Sequence, residues 1–143
     1  MYESCLQKQQ QIKSLFSTCA NEEQKYEKII DLGRHLPPLS STDKIPENLV
    51  NGCQSQMYLK SHLENGNVVF EGASDALISA GLAAILIKAY SGESPETILK
   101  CPPKYLDEIG ISDSLTPNRA SGLYSIHLRM KQDALKLYMQ QTN

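Results

Sequence analysis

The chain has 143 residues, of which 41% are hydrophobic and 21% charged, and its formal net charge is −2. The length fits one domain that can build a core without disulfides, and the slight negative charge excludes a strongly basic nucleic-acid binder. No apolar run reaches the roughly 18 residues of a transmembrane helix. The start of the chain also lacks the basic and apolar segments of a signal peptide. We therefore expect a cytoplasmic protein.

The four cysteines, Cys5, Cys19, Cys53 and Cys101, are far apart in the sequence, and none forms a Cys-x-x-Cys pair. This spacing supports neither a metal site nor a disulfide framework. In a reducing cytoplasm each is expected to be a free thiol. We interpret Cys5, Cys19 and Cys101 as structural, although the two prolines after Cys101 leave its exposure open.

Two helices are predicted first. Residues 4–18 carry apolar positions at helical spacing. Asn21, with Glu22 and Glu23 in the first turn and Gln24 three residues on, is typical of a helix start. Pro37 and Pro38 are expected to end the second helix, and an irregular connection follows up to Asn51.

A hairpin is predicted from Gln56 to Gly72, with Asn65-Gly66 as a two-residue turn. The register that this turn sets opposes Leu63 with Val68 and gathers the apolar side chains on one face. On the other face it opposes Lys60 with Glu71, which predicts a cross-strand ion pair.

The rest of the chain is predicted to be helical. Ser74 and Asp75 are expected to open an apolar central helix, with Asp75 in a capping role. Gly81, costly inside a helix, indicates close approach of another backbone. Three further helix starts carry proline in the first turn, at Ser94-Pro95, Pro102-Pro103 and Thr116-Pro117. This order predicts a single-domain α+β fold over residues 1–143, a small antiparallel sheet packed against several helices.

Cys53 is the position best placed for chemistry. It follows Gly52, whose dihedral freedom suits a loop tip, and it precedes a strand. Its neighbours Gln54 and Ser55 are uncharged and can form hydrogen bonds. No adjacent Lys, Arg or His lowers the thiol pKa, so the residues alone leave open that Cys53 is a half-buried structural cysteine.

Several segments together resemble the SufE/CsdE family of sulfur acceptors. The segment around the thiol, Asn51-Gly52-Cys53-Gln54-Ser55-Gln56, is similar to the cysteine motif of that family. Further similar segments follow the family's order along the chain. They are Cys19-Ala20-Asn21, Tyr26 through Leu36-Pro37, Phe70 through Ala76, Gly81-Leu82, Leu115 through Arg119 and Gly122-Leu123. The departures are Met57-Tyr58, where the family often has Val-Trp, and Asn118, where Ser is common; neither touches the thiol.

The resemblance implies a SufE/IscU-like fold and a sulfur-transfer partner protein rather than an enzyme. Cys53 would take sulfur as a persulfide from a cysteine desulfurase of the SufS/CsdA type and pass it toward a SufBCD-like iron–sulfur scaffold. Pyridoxal phosphate would belong to the desulfurase, and this chain would carry no cofactor. We expect Cys53 to be partly covered, because an exposed persulfide is open to oxidation.

Other residues have weaker claims. Asp75 could support the Cys53 loop. Arg119 is unfavourably placed for the helix dipole, so its expected partner is either a carboxylate of this fold or the desulfurase, and a solvated arginine stays open. His62 is interpreted as an exposed strand residue and His127 as a residue at the core edge.

Alternative functions stay open at this point. One is an iron–sulfur scaffold, which needs several converging ligands. Another is a cysteine-dependent hydrolase or redox enzyme, which needs a base such as His62 or His127, or a resolving cysteine. The third is a binding module with an incidental Cys53. Homodimer formation is also open.

Overall fold

The computed structural model describes residues 2–141. The helices are α1 (Glu3–Phe16), α2 (Glu22–Arg34), α3 (Leu77–Tyr90), α4 (Pro95–Lys100), α5 (Lys104–Ile109) and α6 (Pro117–Gln141). The strands are β1 (Met57–Glu64) and β2 (Asn67–Ser74). Short 3-10 turns lie at Ser41–Asp43, Pro46–Asn48 and Ile111–Ser114. The predicted α+β fold, a small antiparallel sheet packed against helices, is confirmed.

The hairpin has the predicted register. Leu63 opposes Val68 and Lys60 opposes Glu71, with Asn65 and Gly66 at positive φ in the turn. The apolar face meets the core: Met57, Leu59 and Val68 are fully buried. The predicted Lys60–Glu71 ion pair is wrong, because Lys60 Nζ instead lies 3.1 Å from Asp43 Oδ2 in the preceding connection.

Helix α3 is the centre of the fold, and its residues are buried on nearly every side. Its packing against α2 explains Gly81. A Cβ on Gly81 would lie 2.0 Å from the Ile29 carbonyl oxygen, and one on Gly33 would lie 2.6 Å from the Gly81 nitrogen. The predicted close approach of a second backbone is confirmed, and the two helices touch main chain to main chain.

Local chemistry explains some of the helix ends. The Asn21 side chain accepts a hydrogen bond from the Gln24 N–H at 2.9 Å, and Gly110 closes α5 in the left-handed conformation. The capping role predicted for Asp75 is wrong. The N-cap of α3 is Ala76, without a side-chain cap, and Ser74 Oγ accepts from the Ala76 N–H at 3.2 Å.

Three cysteines take part in packing. Cys5 and Cys101 are buried, and Cys19 is half-buried. Gln9 Nε2 approaches both buried sulfur atoms, at 3.8 Å from Cys5 and 3.6 Å from Cys101. The prolines after Cys101 therefore do not bring it to the surface.

Candidate functional site

Cys53 lies on a short loop, residues 51–56, whose two ends are tied together. The Val50 N–H donates to the Met57 carbonyl oxygen at 2.8 Å, and Leu49 pairs with Tyr58 as an isolated bridge. These contacts extend the edge of β1 by one pairing beyond the hairpin. The loop is thus a closed turn on a rigid base, and Cys53 lies near its tip.

Gly52 is required by both the backbone and the packing of this turn. Its φ is +93°, which side-chain-bearing residues rarely adopt. A Cβ there would also lie 2.4 Å from Ser125 Oγ of α6. The turn therefore rests directly on α6, and this contact fixes the direction in which Cys53 leaves the loop.

The Cys53 thiol is half-buried and faces α6 one turn before Ser125. Its Sγ lies 3.8 Å from the Gly122 carbonyl oxygen, a long and weak hydrogen bond. A Cβ on Gly122 would lie 3.7 Å from the same sulfur, an ordinary contact distance. Gly122 therefore leaves free space beside the sulfur atom.

This space is a cavity of about 40 Å³. It is lined by Cys53, Gln54, Ser55, Ser79, Leu82, Asn118, Arg119, Gly122 and Ile126. The volume is on the order of that of one water molecule, far below the roughly 300–1,000 Å³ of typical ligand pockets. The cavity offers space for a small group beside the sulfur.

The electrostatics of the cavity do not activate the thiol in this state. Burial raises the pKa of Cys53 above its ordinary value. Arg119 lines the cavity, and its Nη1 donates to the Tyr26 hydroxyl at 3.1 Å. The partner outside its own helix that the sequence predicted for Arg119 is therefore a tyrosine of α2, not a carboxylate. Burial in the resting site thus favours the protonated form of Cys53.

Most of the predicted site residues meet at this cavity. Cys53, Gln54, Ser55 and Arg119 line it, and Gly52 shapes the turn. Asp75 does not reach the cavity. It is exposed and lines a separate cleft with Lys44, Gln56, Tyr58, Ala73 and Ser74.

The walls that sequence reasoning missed come from α3 and α6. Ser79 and Leu82 form one side, and Gly122 and Ile126 form the other. Leu82 and Gly122 fall in segments that carried the family resemblance, but nothing in the sequence placed them beside Cys53. Nothing in the sequence indicated Ser125 as part of the site, because its contribution is to pack against Gly52.

The histidines considered as bases lie elsewhere. His127 packs against the Tyr90 ring, with ring centroids 5.2 Å apart, and His62 Nε2 lies 3.7 Å from Glu64 Oε2. Neither lines the Cys53 cavity. Cys5 and Cys101 meet at Gln9 in another part of the core. Within residues 2–141, no three His, Cys, Asp or Glu side chains form a group that could hold a metal ion.

The same part of the chain contains no helix that is both long enough and apolar enough to cross a membrane. What the fold and site define is a small α+β protein with one half-covered cysteine on a closed loop. A family model described as "SufE: Fe-S metabolism associated domain" matches residues 10–134. The chain therefore belongs to the SufE family, whose description places it in iron–sulfur metabolism.

Two SufE-like relatives agree with this membership, and one solved structure shares the fold. An uncharacterized SufE-like protein of Synechocystis is 35% identical over 89% of this chain and 80% of its own length. A chloroplastic/mitochondrial SufE-like protein of Arabidopsis thaliana is 38% identical over 91% of this chain, which spans 35% of that protein. The solution structure of a hypothetical protein from Thermus thermophilus matches with a TM-score of 0.75 at 25% identity, over 92% of this chain and 96% of that one.

Proposed function

We propose that this protein accepts sulfur from a pyridoxal-phosphate-dependent cysteine desulfurase of the SufS/CsdA type and carries it as a persulfide on Cys53. The observation that supports this most directly is the small cavity beside Sγ. It offers room for about one further small group on the sulfur, and it is too small for a substrate of ordinary size. An acceptor of single sulfur atoms needs this kind of space.

The transfer is a thiol exchange. The Cys53 thiolate attacks the terminal sulfur of the desulfurase persulfide, and the bond between the two partner sulfur atoms breaks. The electron pair of that bond leaves with the desulfurase cysteine as its thiolate, and Cys53 keeps the terminal sulfur. Atoms and electrons balance without an external oxidant or reductant. The pyridoxal phosphate acts in the desulfurase, and this chain works as a carrier without a cofactor of its own.

The half-covered thiol has to become accessible before it can react. Its pKa is raised by burial, so the resting protein holds little thiolate. The hydrogen bond that covers it, from Sγ to the Gly122 carbonyl oxygen, is long and weak at 3.8 Å. Binding to the desulfurase can therefore expose and ionise Cys53, while the free carrier protects it from oxidants and stray thiols.

The destination of the sulfur is proposed to be an iron–sulfur scaffold of the SufBCD type. The location remains the sequence-based prediction of a cytoplasmic protein, and one relative is chloroplastic/mitochondrial. The scaffold alternative for this chain itself has less support, because the remaining cysteines do not line the Cys53 cavity.

Intact-mass spectrometry after incubation with an active cysteine desulfurase and cysteine tests the proposal. Wild type is expected to gain the mass of about one sulfur atom, and reductant should remove it. Cys53→Ser should gain none. Cys19→Ser is the matched control, since it removes a half-buried thiol outside the loop and should leave the gain intact. Absence of added mass in wild type, or a gain that survives Cys53→Ser, contradicts the proposal.

A further inference from the structure

A single arginine of α6 binds the chain segment that leads into the Cys53 loop. Arg129 Nη1 donates to the Leu49 carbonyl oxygen at 2.7 Å, and Nη2 donates to the Glu47 carbonyl oxygen at 2.5 Å. Its Nε donates to Asp133 Oδ1 at 3.0 Å, and Asp133 Oδ2 accepts from Ser61 Oγ of β1 at 2.6 Å. Arg129 thus links α6 to the segment before the loop, and through Asp133 to β1.

The geometry suits arginine and no other side chain. The planar fork presents several N–H donors in fixed directions and can bind two carbonyls and a carboxylate together. The side chains of Arg129 and Asp133 are 20% and 19% exposed, and the bonds to Asp133 and Leu49 are partly buried, whereas the bond to the Glu47 carbonyl oxygen lies at the surface. Hydrogen bonds from a charged donor are stronger than neutral ones. The connection between Glu47 and Leu49 is therefore held much more firmly than its irregular sequence suggests.

The loop itself is held in two different ways. Its base is fixed by Arg129 and by the Val50–Met57 hydrogen bond. Its tip rests on α6 through the packing of Gly52 on Ser125 and the long Cys53–Gly122 bond. Because both attachments use α6, the position of Cys53 beside the cavity depends on where the base is held.

We propose that Arg129 is a positioning residue for Cys53, which it never touches: it fixes the base of the loop so that the thiol stays at the cavity. The consequence for sulfur transfer rests on the function proposed above, whereas the effect on the loop can be measured without it. Weakening the base increases the open population of the loop alone, and Cys53 becomes more reactive while the core stays closed.

Alkylation rates of the four cysteines distinguish a local opening of the loop from a general loss of stability within one protein. Cys5 and Cys101 lie in the core, Cys19 is half-buried outside the loop, and Cys53 lies on the loop. A local change raises alkylation of Cys53 alone. A general loss of stability raises the alkylation of all four, because every site then reacts through unfolding. The ratio of Cys53 to the other three is thus a readout that a merely structural role of Arg129 does not move.

The experiment follows iodoacetamide labelling of each cysteine by peptide mass spectrometry in native buffer. Arg129→Gln is expected to accelerate labelling of Cys53 roughly tenfold, the effect of losing one or two charge-assisted hydrogen bonds. The other three cysteines should stay within about twofold of wild type. The matched control is Lys60→Gln, which removes the ion pair to Asp43 in the same connection and leaves the hydrogen bonds of Arg129 in place. It should leave Cys53 labelling unchanged.

Two further variants keep the test decisive if Arg129→Gln does not fold. Arg129→Lys keeps the charge but can reach only one carbonyl, and Asp133→Asn removes the carboxylate that orients the guanidinium. Both should accelerate Cys53 labelling by a smaller factor than Arg129→Gln. Unchanged Cys53 labelling in the folded variants, or equal acceleration at all four cysteines, overturns the proposal.

A second arm connects the loop to sulfur transfer. Persulfidated wild type and Arg129→Gln are mixed with dilute glutathione, and loss of the terminal sulfur from Cys53 is followed by mass. The variant should lose it faster by about the same factor as its thiol is alkylated faster. Equal rates of loss overturn the link between Arg129 and the persulfide. If wild type never gains sulfur, the proposed function fails, and the labelling arm still decides whether Arg129 positions the loop.

Discussion

Two regions of this protein depend on glycines at close contacts, and they differ in how close the contact is. Between α2 and α3, a Cβ on Gly81 would meet the Ile29 carbonyl oxygen at 2.0 Å. Between the Cys53 loop and α6, a Cβ on Gly122 would meet the sulfur at 3.7 Å. The first glycine leaves no space for a side chain, whereas a methyl group at the second would be in ordinary van der Waals contact with the sulfur.

This difference in contact distance distinguishes the rigid α2–α3 packing from the tip of the Cys53 loop, which has to move. Backbones in contact can separate only if a whole helix shifts, because packed cores do not deform continuously. A loop tip resting on a helix can lift while its base and the core remain in place. The α2–α3 contact therefore holds the scaffold, and the Gly122 contact only covers the thiol.

The largest expected effect comes from breaking the rigid contact. Gly81→Ala places a methyl group against the main chain of Ile29, which cannot withdraw as a flexible side chain could. We expect a loss of about 3 kcal/mol in the free energy of unfolding, at the upper end for overpacking a core. Urea denaturation followed by circular dichroism measures it. A loss below about 1 kcal/mol would mean that α2 and α3 separate easily.

The next largest effect is a pH dependence of stability, expected where α6 packs against α3. His127 is buried against Tyr90, and burial, followed by the charge of Lys131, lowers its pKa to about 4. In the unfolded chain the pKa is about 6.5. The unfolded state thus binds the proton first, so stability is complete above about pH 6.5 and falls as the pH drops toward 4.

Urea denaturation at pH 7 and pH 4 should show this in wild type and His127→Gln. The wild type is expected to lose roughly 2–3 kcal/mol more than the variant over this range. The pH dependence, not the stability at pH 7, is the quantity compared, so any cost of the substitution itself cancels. Parallel losses in the two proteins would show that His127 is not excluded from water.

The smallest effect on stability is expected at the loose contact. Gly122→Ala adds a methyl group at ordinary distance from Cys53 Sγ and removes a glycine from a helix interior. We expect the free energy of unfolding to change by less than about 1 kcal/mol, because the helical preference of alanine offsets the contact. Sulfur uptake from a desulfurase should slow, because the cavity for the terminal sulfur becomes smaller. Uptake at the wild-type rate would show that the terminal sulfur lies elsewhere.

The parts of the fold that short sequence segments determine were predictable. The Asn65-Gly66 turn and the alternation around it gave the register, and Asn21 with Gln24 gave the start of α2. Predictions made from neighbouring residues were wrong where another part of the chain determined the contact. Lys60 pairs with Asp43 rather than with Glu71 opposite it, and Asp75 is not the N-cap because Ala76, in an extended conformation, occupies that position.

The candidate site was predictable only in the stretch that contains the thiol. Gly52, Cys53, Gln54 and Ser55 are consecutive, so their proximity is guaranteed. The opposite walls come from helices 26 to 73 residues away from Cys53, and their position depends on how α3 and α6 pack. Arg129 was also missed, because two of its acceptors are main-chain carbonyls. Every residue has such a carbonyl, so the sequence does not show which ones Arg129 binds.

The hairpin register has a consequence at the far end of the strands. Met57, the first residue after the Cys53 loop, opposes Ser74, after which the chain enters α3 and the Ser79 and Leu82 wall of the cavity. A slip of one residue at the Asn65-Gly66 turn would displace the two chains by about 3.4 Å and reverse the side to which each residue points. The loop carrying the thiol and the helix receiving it would then no longer meet. The turn, although remote from the sulfur chemistry, sets the alignment on which that chemistry depends.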